Sequence, residues 1–182
     1  MDTVIFSVVG RKGGIGKSTV AVTFSQYLTQ IKKMTGGFID MDSQGNSSSA
    51  LIKTVTDPLH QSGIMPFRHP KWDPDNLPPD NLDWDGISSI ADIFTGGHIY
   101  RYPSFFKNLY CYPAFASILE DAQQIHKADE EERIVDRLKK FTQLLASKEE
   151  NIYDFDEKVD YDFVMIDTSP LIGPLTTASI RA

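Results

Sequence analysis

The N-terminal apolar run and the glycine-rich segment after it constrain this chain more than any other feature. Val4-Ile5-Phe6-Ser7-Val8-Val9 has the composition of a buried strand, and Gly10-Arg11-Lys12-Gly13-Gly14-Ile15-Gly16-Lys17-Ser18-Thr19 follows it directly. Glycines lack a Cβ, so the backbone can close around a polyphosphate and direct N–H groups at it from the start of a helix, where the helix dipole also favours anions. The segment predicts a phosphate-binding loop between a strand and a helix.

The polar side chains of this loop suit a nucleoside triphosphate. Lys17 would place an ammonium group on the β- and γ-phosphates, and the Ser18 hydroxyl is a suitable ligand for Mg²⁺. The alternative, a glycine-rich turn with no ligand, is disfavoured because so many positions match the pattern. The predicted nucleotide-binding residues are Gly13, Gly14, Ile15, Gly16, Lys17, Ser18 and Thr19.

One position departs from the general pattern G-x-x-x-x-G-K-[ST]. That pattern has a glycine five positions before Gly16, and this chain has Arg11 there. The next residue, Lys12, adds a second lysine to the loop. This extra lysine limits the possible functions of the chain more than the rest of the loop does.

Two later apolar runs also end in aspartate. Phe38-Ile39 precedes Asp40 and Asp42, and residues 163–166 precede Asp167. Because ligands bind at the carboxyl ends of strands in open parallel sheets, these carboxylates would lie beside the phosphate loop. At the end of such a strand, the carboxylate of Asp167 is suited to contact Mg²⁺ through a water. Each run alone also has a non-functional explanation: the first fits an acidic turn and the second an ordinary strand of an α/β protein. The prediction therefore depends on the order of all three motifs.

Composition bounds the fold and the compartment. The chain has 182 residues, 41% hydrophobic and 24% charged, which suits one α/β domain, and its formal charge of −7 argues against strong nucleic-acid binding by this stretch alone. There is no apolar stretch of membrane-spanning length and no signal-peptide pattern after Met1-Asp2, so we expect a cytoplasmic chain. Cys111, the only cysteine, is expected to be a buried small hydrophobe.

Periodicity predicts helices alternating with strands. Residues 87–94 suit a short helix and 108–112 a strand, and Pro113 opens a further helix. Residues 17–33 carry an apolar stripe expected to pack on the sheet, formed by Val20, Phe24, Tyr27, Leu28 and Ile31. Residues 129–146 form the clearest amphipathic helix, with an apolar face of Ile134, Leu138, Phe141 and Leu145. A solvated face is favoured over a nucleic-acid or cofactor role for Arg133, Arg137, Lys139 and Lys140.

Residues 57–86 interrupt this pattern. They contain six prolines and both tryptophans, a composition that opposes helices and sheet ladders, so we expect a long surface loop or insertion. Three aromatic residues in this segment have two possible roles. Either they anchor it to its own core, which is the favoured interpretation, or they form a partner-binding patch. These residues are Phe67, Trp72 and Trp84.

The ordered motifs resemble the ParA/Soj-type partition ATPases of the deviant Walker A, or ParA/MinD, branch of P-loop proteins. Residues 12–18 resemble the family's loop, in which the first glycine is often replaced. Residues 38–46 resemble its Asp-x-Asp-Pro-Gln-Gly-Asn motif with Ser43 in place of proline, and residues 161–170 resemble Tyr-Asp-x-x-x-Ile-Asp-Thr-Pro-Pro with Ser169 in place of the first proline. The similarity covers residues 4–49 and resumes from about residue 90. It implies an α/β P-loop NTPase fold, a mostly parallel sheet with helices on both faces.

The resemblance also implies roles for individual residues. Lys12 would reach across a nucleotide-sandwiched dimer to the phosphates held by the other subunit, and Lys17 would hold the β- and γ-phosphates of its own. Asp40 would position and polarise the attacking water, which completes a catalytic set of Lys12, Lys17 and Asp40. Asp167 would also open the switch region that senses the γ-phosphate. The implied metal residues are Ser18, Asp42 and Asp167.

The implied activity is slow, dimer-dependent hydrolysis of ATP with Mg²⁺. The ATP-bound homodimer would bind nonspecific DNA and be released when a ParB-like centromere-binding partner stimulates hydrolysis, a hypothesis favoured by Gln44-Gly45-Asn46. The alternative is a MinD-like positioning or regulatory switch on a membrane or protein cargo. About a third of the family's domain, including its base-recognition loop and DNA-contacting helices, follows the Asp-Thr-x-Pro segment. We therefore expect a fragment or a shortened relative, incomplete at its C-terminus.

Overall fold

The structure is a computed structural model that describes residues 2–60, 63–79, 81–95, 97–123, 128–147, 159–170 and 174–182. Its strands are β1 (Val4–Val8), β2 (Gly36–Met41), β3 (Thr54–Thr56), β4 (Ile64–Pro66), β5 (Tyr102–Pro103), β6 (Leu109–Tyr112) and β7 (Phe163–Thr168). Its helices are α1 (Lys17–Gln26), α2 (Asn46–Leu51), α3 (Asp92–Thr95), α4 (Ala116–Gln123), α5 (Ala128–Ala146) and α6 (Pro174–Arg181), and a π-helical turn (Tyr27–Ile31) continues α1. None of the helices in these ranges is long and apolar enough to cross a membrane.

A mostly parallel sheet forms the centre of the fold, as predicted. Its strand order is β1-β7-β2-β6-β5, in which the first four strands run parallel and β5 pairs antiparallel with β6. Asp167 on β7 lies opposite Val8 on β1 and opposite Asp40 on β2. The phosphate loop and the motif carboxylates therefore meet at one edge of the sheet, where parallel strands end.

Helices cover both faces of this sheet, which confirms the predicted layering. Side chains of successive strand residues point to opposite faces. On β7, Val164 and Ile166 belong to the hydrophobic cluster that includes residues of α5 and α6. Phe163 and Met165 belong to the cluster that includes Ala21 of α1. A strand buried on both faces reads as a continuous apolar run, which is why β7 was recognisable in the sequence.

The predicted packing face of the first helix is wrong. Four of its five apolar residues are exposed, although Phe24 still makes an edge-to-face contact with Phe6 of β1, and only Leu28 is buried. The helix instead turns the small side chains of Ala21 and Ser25 inward, and both are fully buried. Small residues let the helix axis approach the sheet closely, whereas bulky ones would hold it away. The exposed residues are Val20 (58%), Phe24 (39%), Tyr27 (43%) and Ile31 (66%).

The segment 57–86 contains more regular structure than predicted. Strand β4 lies inside it and forms an antiparallel hairpin with β3, in which Pro66 pairs with Thr54. This sheet has two strands, and a proline is tolerated there because an edge strand need not donate every N–H. Trp84 is buried against Tyr100 and donates its Nε1–H to the carbonyl of Ile87, as an anchor would.

Other elements agree with the sequence pattern in part. The helix predicted for 87–94 is shorter, since α3 begins at Asp92, and Cys111 is fully buried, which raises the pKa of its thiol well above the usual value. On α5, the apolar residues Leu138, Phe141 and Leu145 are buried. Exposed Arg137 donates to the carbonyls of Ile93 and Phe94, so this cation is not simply solvated. The side chains of Arg133 and Ile134 lie outside the described part of the structure.

Two adjacent glycines of β2 allow a matched test of this packing. A Cβ added at Gly36 would lie 2.2 Å from Cζ of Phe163, which is fully buried, whereas one at Gly37 would lie 3.5 Å from Cε1 of Tyr161. We expect Gly36→Ala to lower the free energy of unfolding by about 1–3 kcal/mol, because the Phe163 ring must move within a filled core. Gly37→Ala should cost less than about 1 kcal/mol. Urea denaturation measures both, and equal losses would contradict the strand pairing.

Candidate functional site

The first helix begins on the phosphate loop with its N-terminus open. Gly16 precedes it in the left-handed conformation, at φ 86°, and no side chain caps the helix in the described residues. The N–H groups of its first turn lack partners within the helix and are therefore suited to an anion. A Cβ added at Gly13, Gly14 or Gly16 would meet no heavy atom within 4 Å. The loop thus leaves open space for a ligand above its backbone.

A cleft of about 400 Å³ lies against this loop. Seven of the predicted site residues line it, namely Gly13, Gly14, Gly16, Lys17, Ser18, Thr19 and Asp42. Three further residues, Gln44, Asn46 and Pro170, line it as well and were not predicted as site residues. Their signal was present in the sequence, because they follow β2 and β7 within the same motifs as Asp42 and Asp167. Lys12 and Ile15 are both exposed, and neither is among the residues lining the cleft.

The structure does not bring Asp40 into the cleft. This residue is fully buried, and its Oδ2 accepts hydrogen bonds from the backbone N–H of Ser48 at 2.8 Å and from Ser48 Oγ at 2.6 Å. Its Oδ1 accepts from the backbone N–H of Asp42 at 3.1 Å. Burial, together with the neighbouring charge of Asp167, raises the pKa of Asp40 to about 7. Its contacts are those of a residue that joins the end of β2 to α2.

Asp42 is the carboxylate that the end of β2 presents to the cleft. It lines the cleft, and its Oδ1 accepts from the backbone N–H of Gln44 at 3.1 Å. Burial raises the pKa of Asp42 and the charge of Asp167 adds to the rise, while the Gln44 N–H and the Lys17 ammonium oppose it. The site therefore combines one cation and two acidic side chains close enough to affect each other's charge.

Asp167 lies beneath this cleft with one oxygen unused. It is fully buried, and its Oδ2 accepts from Ser47 Oγ at 2.6 Å. Its Oδ1 is buried and has no hydrogen-bond partner among the described residues. A buried carboxylate oxygen without a partner is costly, so it marks a place where a water or cation would be stabilised.

The donor set fits a hydrated Mg²⁺ better than a fully protein-bound metal. Ser18 and Asp42 line the cleft and would be its oxygen ligands, and Asp167 would offer the oxygen that has no partner among the described residues. Within the described ranges, no three His, Cys, Asp or Glu side chains are grouped to hold a metal ion. Magnesium commonly keeps several waters and takes one or two carboxylates together with substrate phosphates. These residues are therefore chemically compatible with Mg²⁺ carried by a bound nucleotide.

Comparison with known proteins identifies the family and the fold of this chain. A family model described as an AAA domain matches residues 3–182, and comparison with curated proteins gives no significant match. The fold is similar to cobyrinic acid a,c-diamide synthase from Mycobacterium smegmatis with a bound ATP analogue and magnesium, at 20% identity and TM-score 0.58, over 97% of this chain and 55% of that one.

Two other solved structures are similar over a comparable range. A plasmid partition protein from Borrelia burgdorferi has 18% identity and TM-score 0.57, over 100% of this chain and 62% of that one. An ATP complex of a McdA variant from Cyanothece has 16% identity and TM-score 0.62, over 98% and 53%. The chain thus spans between 53% and 62% of the length of these three structures. At such identities the similarity establishes a shared fold.

Proposed function

This chain belongs to the AAA domain family, and from that premise we propose that it is a ParA-like partition ATPase that uses ATP and Mg²⁺. In this proposal the ATP-bound protein dimerises, binds nonspecific DNA and is released when a ParB-like partner stimulates hydrolysis. The observation that carries the proposal is that Lys17, Ser18 and Asp42 line one cleft at an uncapped helix N-terminus. The ParA/MinD-like motifs and the shared fold with a plasmid partition protein support it.

The loop and its lysine would bind the phosphates of ATP. The open N–H groups at the start of α1 would donate hydrogen bonds to phosphate oxygens, and the left-handed Gly16 would keep the backbone close to them. Lys17 is buried at the cleft, where its ammonium neutralises the β- and γ-phosphates with little competition from water. Binding of the triphosphate would therefore depend on charge held in a fixed position rather than on surface attraction.

Hydrolysis would depend on Asp42 rather than on Asp40. The sequence resemblance assigns the attacking water to Asp40, but Asp40 is enclosed by Ser48 and the backbone, whereas Asp42 lines the cleft. Asp42 presents its carboxylate to the cleft that would hold the phosphates, which suits it to orient and polarise a water there. Mg²⁺, when bound through Ser18, Asp42 and the waters near Asp167, would supply charge neutralisation at the phosphates.

Lys12 would act on the partner subunit's nucleotide. It is exposed, and it is not among the residues that line its own cleft. We expect Lys12→Ala to change ATP affinity by less than about threefold, since no phosphate contact within the subunit is lost, and to abolish ATP-dependent dimerisation. Isothermal titration calorimetry and light scattering measure the two effects. The exposed neighbour provides the control, because Arg11→Ala should leave dimerisation intact. A parallel loss of ATP binding and dimerisation in Lys12→Ala would show that the lysine acts within its own subunit.

Co-sedimentation with DNA tests the partition proposal itself. The full-length gene product is incubated with nonspecific duplex DNA and with ATP, ADP or no nucleotide, each with Mg²⁺, and ATP turnover is followed in parallel. Sedimentation with DNA only in ATP is the expected result. ATP binding without any ATP-dependent DNA binding would reject the partition function in favour of a MinD-like switch on another cargo. Failure to bind ATP would reject both.

A further inference from the structure

Two consecutive serines of α2 bind the two buried carboxylates of the central strands. Ser47 Oγ donates to Asp167 Oδ2 at 2.6 Å, and Ser48 donates to Asp40 Oδ2 through both its N–H and its hydroxyl. Asp40 and Asp167 are neighbours across the β2–β7 pairing. One short helix thus donates hydrogen bonds to both acids at the carboxyl end of the sheet.

The two aspartates that these serines bind differ in whether a carboxylate oxygen is left without a partner. Among the described residues, the Asp40 carboxylate accepts from backbone or serine groups of residues 42 and 48, and both of its oxygens have partners. Asp167 has its Oδ2 bound by Ser47, while its buried Oδ1 has no partner in the described part of the chain. A carboxylate held through one oxygen cannot rotate freely, so the other oxygen keeps a fixed place. Ser47 therefore determines which Asp167 oxygen remains for a ligand.

The segment that carries Ser47 is itself fixed beside the cleft. Gly45 adopts the left-handed conformation at φ 61°, and a Cβ there would lie 2.3 Å from Ile64 of β4, so the hairpin packs directly on this turn. The next residue, Asn46, lines the cleft, and Ser47 is fully buried behind it. Ser47 thus connects a cleft-lining segment to the acid beneath the cleft.

We propose that Ser47 is a positioning residue that holds Asp167 so that its Oδ1 accepts a hydrogen bond from a water bound to the metal ion of the nucleotide. The inference rests on the proposed ATP and Mg²⁺ site and adds a residue to it. Ser47 does not touch the metal or the nucleotide in this proposal. Groups that orient metal-associated carboxylates typically affect metal affinity or activity 10–100-fold when removed.

The test uses Mn²⁺ as a spectroscopic probe in place of Mg²⁺. Binding of Mn²⁺ to the complex of protein with ADP is measured by electron paramagnetic resonance, and ADP affinity is measured separately in EDTA. We expect Ser47→Ala to weaken Mn²⁺ binding about tenfold or more, with ADP affinity in EDTA changed less than about twofold. Ser47→Thr keeps a hydroxyl and should retain most of the Mn²⁺ affinity.

Ser48→Ala is the matched control, because it also removes a buried serine that binds an aspartate. It should lower the melting temperature without changing Mn²⁺ affinity more than about twofold. If Ser47→Ala does not fold, Ser47→Cys, which keeps the size and is a weak donor, should show the same loss of Mn²⁺ affinity. Unchanged Mn²⁺ binding in a folded Ser47→Ala or Ser47→Cys variant, or an equal loss in Ser48→Ala, would overturn the role of Ser47. A wild-type protein that binds no ADP would instead overturn the proposed function.

Discussion

Lys17→Ala is expected to lose about a hundredfold in affinity for ATP and, with it, all measurable hydrolysis. Lys17 is buried and lines the cleft beside an open helix N-terminus, whereas Arg11 and Lys12 are not among the residues that line it. A hydrogen bond to a charged group contributes about 1.5–3 kcal/mol, and 1.4 kcal/mol corresponds to a factor of ten in affinity. Calorimetric titration with ATP and Mg²⁺ measures the loss.

The control for this prediction is a lysine outside the cleft. Lys107 is exposed in the connection between β5 and β6, and Lys107→Ala should leave ATP affinity within about twofold of the wild type. Thermal unfolding of both variants without nucleotide shows whether either has lost the fold. A folded Lys17→Ala protein that keeps wild-type ATP affinity would mean that the cleft does not bind the triphosphate as proposed.

Asp42→Asn is expected to bind ATP with near wild-type affinity and to hydrolyse it at least about a hundredfold more slowly. The amide keeps an oxygen for the Gln44 N–H, so the turn after β2 is retained, but the charge that polarises the water is lost. Removing a proton acceptor or a group that stabilises charge in the transition state commonly costs 10²–10⁴ in rate. Single-turnover hydrolysis with saturating ATP separates this effect from binding.

Asp40→Asn distinguishes a catalytic carboxylate from a structural one. At this position an amide must replace one of two oxygens that accept three hydrogen bonds, so a buried donor loses its partner. We expect Asp40→Asn to lower the free energy of unfolding by about 1–3 kcal/mol. It should slow the hydrolysis of bound ATP less than Asp42→Asn does. If Asp40→Asn stops hydrolysis at unchanged stability while Asp42→Asn does not, the roles given to the two acids must be exchanged.

The comparison of these two aspartates shows what the sequence contained about the site. The order of strand, glycine-rich loop and two strand-terminal acids was enough to predict the parallel sheet and most of the cleft, because parallel strands deliver their ends to one edge. It could not show which of Asp40 and Asp42 reaches the cleft, since both stand at the carboxyl end of the same strand and fit the same motif. The difference arises from α2, because Ser48, eight residues after Asp40, donates two hydrogen bonds to the Asp40 carboxylate.

The first helix failed to follow its hydrophobic pattern for a related reason. An apolar stripe predicts which face is buried only when the helix is free to rotate toward its core. Here α1 starts at Lys17, directly after the loop, and the loop sets its rotation, so small residues such as Ala21 face the sheet while Val20 and Phe24 remain exposed. The proline content of this segment does not reveal strand β4, because proline disfavours most strand pairing but a two-stranded hairpin accommodates Pro66.

Light scattering on Asp42→Asn in ATP and in ADP, each with Mg²⁺, tests the central claim most directly, because the claim is that the triphosphate controls association. This variant should accumulate the ATP-bound form, since hydrolysis is blocked and the phosphate contacts are retained. The account predicts a dimer mass in ATP and a monomer mass in ADP, with the dimer lost when Lys12→Ala is added. The same mass in both nucleotides, with ATP binding confirmed by calorimetry, would contradict it.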